Sequence, residues 1–322
     1  MPESTSTPRP PKLGSSSAST CCWEGTEMRI GLILPMGDEL EPGVPLPYAE
    51  IRALTLHAEA AGLDAVWTYD HLVGDKPESS ADSPWEAWSV LTALAEATER
   101  ISLGVLVLAT PFRNPGVLAR MADTVQDISN NRLVLGLGAG WHLPEFTAFG
   151  IPFKQRVSSF AEALEITTTM LRDGRATLNG QHNQADEAPI RDRPGRKAPE
   201  ILVASKGPRM LELTAKYADT WNLAWFGQPT ERYLDVNNAL TQACEKIGRD
   251  PATLRRTVGL LVGEPKSDAD ENDRTLRGDA AFLAETFAKW EAEGISEIVC
   301  STEPSTTKLV DLVAEATALL KR

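Results

Sequence analysis

The chain has 322 residues, 42% of them hydrophobic, and a net charge of −13 from 32 basic and 45 acidic side chains. That length supports one large core, such as a barrel of roughly 250 residues with insertions, and the acidic balance disfavours nonspecific binding to nucleic acid or anionic lipid. No apolar run approaches the ~20 residues that span a bilayer, and the amino-terminal stretch lacks a signal-peptide core, so a cytoplasmic protein without membrane or nucleic-acid partners is expected.

Residues 1–27 are rich in Ser, Thr and Pro. Such a segment buries too little apolar surface to offset its ordering entropy and is expected to be a disordered tail. Met28 opens the first clean strand and is a candidate authentic start, which leaves 28–322 as the folded domain. Cys21 and Cys22 are adjacent in the tail, and with Cys244 and Cys300 they show no ligand spacing. His57, His71, His142 and His182 are scattered. Neither a disulfide framework nor a metal site is expected.

From there the pattern alternates. Strands are predicted at 29–34, 64–69, 101–108, 132–138, 200–205, 219–223, 256–262 and 297–301. Helices are predicted at about 47–61, 84–98, 115–129, 157–172, 208–217, 229–247, 279–293 and 305–320. Leu118, Met121, Ala122, Val125 and Ile128 mark one face of the third helix, and Leu309, Leu312, Val313, Ala316 and Leu320 one face of the last. Eight βα units imply a (β/α)8 TIM barrel. An open dinucleotide-binding sheet would carry its glycine fingerprint after the first strand, where this chain has Leu34-Pro35-Met36-Gly37. Long insertions are expected after the fourth strand (141–156), before the fifth (174–199, with an Asn179-Gly180 hairpin turn) and after the seventh (263–277).

The unusual chemistry sits where strands end, which is where parallel α/β folds bind ligands. Trp67-Thr68-Tyr69-Asp70-His71 ends the second strand and offers a proton-transfer group near neutral pH; an equally weighted alternative has Asp70 capping the loop and His71 bonding locally. Thr110-Pro111-Phe112-Arg113-Asn114-Pro115 follows the third. Asn114 and Pro115 suit a helix start, whereas the helix does not need Arg113. Gly136-Leu137-Gly138-Ala139-Gly140-Trp141 ends the fourth, one residue short of a dinucleotide fingerprint. It is either a backbone cleared for a flat ring or tight barrel packing. Ser205-Lys206-Gly207-Pro208 joins the fifth strand to a helix, whose free N–H groups and dipole favour a phosphate. His57 and the Trp85/Trp88 pair are expected to be structural, Glu86 a first-turn acid, and His182 solvent-exposed beside its turn.

Together these segments resemble the bacterial luciferase-like superfamily, most closely its coenzyme F420-dependent oxidoreductases. The residues that carry the likeness are Trp67–His71, Leu103-Gly104, Leu106-Val107, Arg113-Asn114-Pro115, Leu135–Trp141 with Glu145, and Val203–Pro208, over Met28 to about Leu320. The resemblance implies hydride transfer between F420 and a small organic substrate. It implies a bulge with a non-prolyl cis peptide at Leu106-Val107 that buttresses the cofactor ring. His71 would be the acid or base, and Trp141 and Glu145 would line the substrate mouth. Gly138 and Gly140 would give the ring room, and Ala204, Ser205, Lys206, Gly207 and Pro208 would hold the phosphate, with Asp70 beside the cofactor. It also implies a homodimer through the second and third helices. The alternative within the superfamily is an FMN-dependent monooxygenase fed by a partner flavin reductase; F420 would likewise need a reductase. A rival of another class is a non-catalytic flavin-binding barrel. Relatives carry an aromatic strand near 182–186, where an irregular edge is expected here.

Overall fold

The computed structural model describes residues 27–37, 44, 46–74, 83–192, 194–265 and 274–322. The predicted tail, except Glu27, and parts of the 72–84 and 263–277 loops lie outside these residues. In chain order the barrel runs β1 (Arg29–Ile33), α1 (Tyr48–Ala60), β2 (Ala65–Thr68), α2 (Ala87–Ala97), β3 (Ser102–Val105), β4 (Leu108–Ala109), α3 (Pro115–Ile128), β5 (Leu133–Gly138), α4 (Leu143–Ala148) and α5 (Arg156–Asp173). A hairpin of β6 (Arg175–Asn179) and β7 (Gln184–Pro189) follows. Then come β8 (Glu200–Ala204), α6 (Pro208–Tyr217), β9 (Thr220–Phe226), α7 (Glu231–Lys246), β10 (Arg255–Gly263), α8 (Ala280–Ala292), β11 (Glu297–Glu303) and α9 (Thr307–Leu320).

The parallel strands are ordered β3-β2-β1-β11-β10-β9-β8-β5-β4, and β3 pairs again with β5, which closes the barrel. The third stave is broken into β3 and β4 by Leu106-Val107, whose peptide is cis, so the expected single strand 101–108 is two short ones. The hairpin is irregular as expected: between the pairs Ala176–Ala188 and Leu178–Ala185 the register shifts, and Glu187 in that bulge has φ +47°.

Helix faces pack outside the barrel, as the periodicity predicts, with local departures. Leu118, Ala122 and Val125 of α3 are buried, but Ile128 at its end is exposed. Asp123 is buried instead, because Arg196 donates to it. Asn114 caps α3 by accepting from Gly116 and Val117 N–H, worth about 1 kcal/mol. Trp85 stands before α2 rather than in it and donates to the Leu46 carbonyl, while Trp88 is buried. Glu86 is the α2 cap, accepting from Trp88 and Ser89 N–H.

Inside the barrel the small apolar cluster of Ile33, Ala65, Trp67, Val134, Leu202 and Val299 forms the floor under the carboxyl end. Below it charged and hydroxyl groups fill the amino-terminal end. Glu297 takes the Trp67 indole N–H and lies beside Arg29; Glu200 pairs with Arg255 and accepts from Thr220. Burial holds Glu297 above the usual carboxylate range despite Arg29 and the Trp67 bond. Cys244 and Cys300 are buried free thiols, and burial pushes Cys300 up to about 12, far from a reactive thiolate. Among the described residues no helix is long and apolar enough to cross a membrane, and no cluster of three potential metal ligands occurs.

Candidate active site

A cavity of about 820 Å³ opens at the carboxyl ends of the strands, within the size range of small-molecule sites. Every residue to which the resemblance assigns a site role lines it except Pro208, which stands behind the wall as the first residue of α6. Lacking an N–H, Pro208 contributes only the helix start.

His71 lies on the wall with its side chain 34% exposed. Its Nδ1 is 3.0 Å from Glu145 Oε1, which also accepts from Leu72 N–H at 2.7 Å. A carboxylate only accepts, so the proton of the first bond sits on Nδ1 and leaves Nε2 for the cavity. The rings of Trp141 and His142 meet His71 edge-on at 5.5 and 5.9 Å.

Glu145 differs from expectation. The segment after β5 folds into α4, which turns this carboxylate inward; its side chain is 3% exposed, and Oε1 takes all three protein donors. Through Oε1 it orients His71. Burial works to raise its pKa, but the bonds from His71, Leu72 and Val73 outweigh this and hold it below the usual carboxylate range. Trp141 is at the mouth as expected, 67% exposed.

Asp70 is likewise engaged by protein. Its side chain is fully buried, accepting from Ala109 N–H and from both terminal nitrogens of Arg113. Arg113, unexplained by its helix, also pairs with Glu86. The triad ties the end of β2, the start of α2 and the β4 segment together. Asp70 thereby positions the wall instead of contacting a ligand with its charge.

The glycines in and just after β5 are required by protein packing. A Cβ on Gly136 would lie 2.0 Å from the Val105 carbonyl oxygen, and one on Gly138 would lie 2.8 Å from Val107 Cγ2. Gly140 has φ +74° and the Phe146 ring where its Cβ would be. They clear room for the Leu106-Val107 bulge and for α4. The bulge in turn presents both side chains, half-buried, to the cavity.

At the fifth stave Ser205 is occupied. Its hydroxyl bonds Thr214 Oγ1, its carbonyl accepts from Trp221 and its N–H donates to Asn222. Lys206 and Gly207 remain for a ligand: the lysine is exposed, and no side chain caps α6 at Gly207. Arg156, which sequence reasoning missed, stands nearby on the wall. Its Nε donates to the Gly140 carbonyl and its guanidinium lies 4.1 Å from the Phe153 ring. Phe153-x-x-Arg156 is the signal that could have marked it. Trp225 was also missed, because β9 runs on past the expected 223. Its ring lies over Gly259, on the next stave, where a side chain would collide with it; that glycine was the available signal.

Apolar walls from Leu106, Val107, Trp225 and Met210 beside two cations and an uncapped helix start fit a flat ring with an anionic tail. The fold and cavity define a (β/α)8 barrel enzyme with a cofactor-sized site at its carboxyl face. Residues 28–309 match the family model described as luciferase-like monooxygenase, and the chain belongs to this family; it is an oxidoreductase. It is 30% identical over 269 residues to a phthiodiolone/phenolphthiodiolone dimycocerosates ketoreductase of Mycobacterium kansasii, covering 76% of this chain and 72% of the relative. It is also 30% identical over 213 residues to an F420-dependent glucose-6-phosphate dehydrogenase of Amycolatopsis mediterranei, covering 64% and 62%. In fold it is similar to the coenzyme F420-dependent tetrahydromethanopterin reductase of Methanopyrus kandleri. That likeness has a TM-score of 0.75 at 17% identity and covers 91% of this chain and 99% of the other.

Proposed function

We propose that this chain is an F420-dependent oxidoreductase that transfers hydride between the deazaflavin and a small organic substrate, with His71 moving the proton. The observation that carries the reading is the His71–Glu145 pair, which leaves one imidazole nitrogen free in a cavity also lined by Lys206 and Arg156. The two relatives near 30% identity, named as a ketoreductase and an F420-dependent dehydrogenase, support it.

F420, when bound, supplies or accepts the hydride; the protein supplies orientation and proton handling. Lys206, Arg156 and the start of α6 hold the phosphate end by charge and N–H donation. Leu106 and Val107 press on one face of the ring. For an alcohol being oxidised, His71 Nε2 takes the hydroxyl proton, and the resulting imidazolium is stabilised by the buried Glu145 carboxylate. In the reverse direction the same nitrogen donates to the forming alkoxide.

Titration of the purified protein with F420 and with FMN tests the cofactor. Tight F420 binding is expected. Binding of FMN alone would replace this reading with that of an FMN-dependent monooxygenase served by a reductase. His71→Ala is expected to keep F420 affinity and lose turnover by 10²–10⁴-fold, the usual worth of general acid–base catalysis; intact turnover would remove the proton role.

A further inference from the structure

Three carboxylates line the cavity, and two are buried and engaged by protein donors: Asp70 by Arg113 and Ala109, and Glu145, through Oε1, by His71, Leu72 and Val73. The third, Glu303 at the end of β11, is exposed and accepts no hydrogen bond or ion pair from the described residues. Ser301, two residues earlier, also lines the cavity, and its hydroxyl has no partner among them.

Strand geometry puts the two on one face. Val299 belongs to the inner cluster, and side chains alternate with period two, so Ser301 and Glu303 also point into the barrel. Gly31 is opposite both Val299 and Ala65, and Ile33 is opposite Trp67. Continuing that register sets Ser301 level with Trp67 and Glu303 level with Tyr69, with only β1 between. Two strand spacings are roughly 10 Å, a distance one small molecule spans. Pro35, two residues past β1 and level with Glu303 by that register, has no N–H to offer it.

A carboxylate can only accept, so its ligand must donate. We propose that Ser301 and Glu303 form a substrate subsite for a hydrogen-bond-donating group. The substrate is then an alcohol or ketone carrying a second hydroxyl or an ammonium group, held on the β11 side while its reacting carbon faces His71. This rests on the hydride-transfer reading above.

The test uses F420-loaded protein and three probes: cyclohexanol, trans-1,2-cyclohexanediol and trans-2-aminocyclohexanol. Calorimetric affinities are measured for the native protein, Glu303→Gln and Ser301→Ala. The diol, the amino alcohol or both are expected to bind at least about tenfold tighter than cyclohexanol, as a charge-assisted hydrogen bond allows. Preference for the amine would identify an ammonium ligand and preference for the diol a hydroxyl. Glu303→Gln is expected to abolish an amine preference and reduce a diol preference severalfold. Ser301→Ala should weaken the favoured probe a fewfold, and both variants should keep F420 affinity. Equal binding of the three probes, binding of none, or a preference of undiminished size in Glu303→Gln overturns the subsite while leaving the cofactor reading in place. Failure of the native protein to bind F420 overturns both.

Discussion

Replacing Asp70 by Asn keeps the shape of the side chain and removes the charge around which Arg113 is buried. Asp70 is fully buried and Arg113 is 13% exposed. The carboxylate accepts three hydrogen bonds, from Ala109 N–H at 2.9 Å and from the guanidinium at 2.6 and 2.9 Å. An amide keeps one acceptor oxygen and turns an NH₂ toward these donors. Removing one partner of a buried pair costs about 3–5 kcal/mol. Glu86, 42% exposed, still pairs with Arg113 in the variant, so the loss is expected near the lower end, about 3 kcal/mol. Urea unfolding followed by circular dichroism and by Trp fluorescence measures it, provided the two transitions coincide. Asp70→Asn, Arg113→Gln and the double variant complete a cycle whose coupling should exceed about 1.5 kcal/mol. A loss under about 1 kcal/mol, or additive single effects, would refute the view that this triad holds the end of β2 and the segment after the bulge.

The Glu145 carboxyl lies below the usual carboxylate range when folded, so its stabilising effect is present above its unfolded pKa and is lost as pH falls through the folded value. The stability gap between native protein and Glu145→Gln should therefore be flat near neutrality and shrink on acidification, and nitrogen NMR of His71 should show the Nδ1–H tautomer only in the native protein. Gly136→Ala is expected to destabilise by at least the ~1–3 kcal/mol typical of overpacking, because it meets backbone. Gly138→Ala, which meets the end of a Val side chain, should cost less in denaturant melts but displace Val107 and weaken cofactor binding. Lys206→Met and Arg156→Met should each weaken F420 binding about ten- to a hundredfold, the worth of a charge-assisted hydrogen bond, and flatten its salt dependence. Unchanged affinity in both would remove the fifth stave as the anion site.

Much of this protein was legible in the chain itself. Alternating apolar runs and helical faces such as Leu118-Ala122-Val125 specified eight βα units, and local chemistry specified helix starts at Asn114-Pro115 and Gly207-Pro208. These signals depend on neighbours within a turn or two, so they survive in one dimension. The fate of the polar candidates did not. Asp70 and Glu145 have the same residue chemistry as Glu303. Which carboxylate is consumed by protein and which is left to a ligand depends on donors from Arg113, 43 positions from Asp70, and from His71, 74 positions from Glu145. The glycines in and just after β5 are silent in the same way, since their need is set by Val105, Val107 and Phe146 meeting them across space. The sequence determined the barrel and the end at which its chemistry lies. Tertiary structure decided which side chains face the cavity unpaired, because hydrogen-bond saturation is a property of groups brought together by folding.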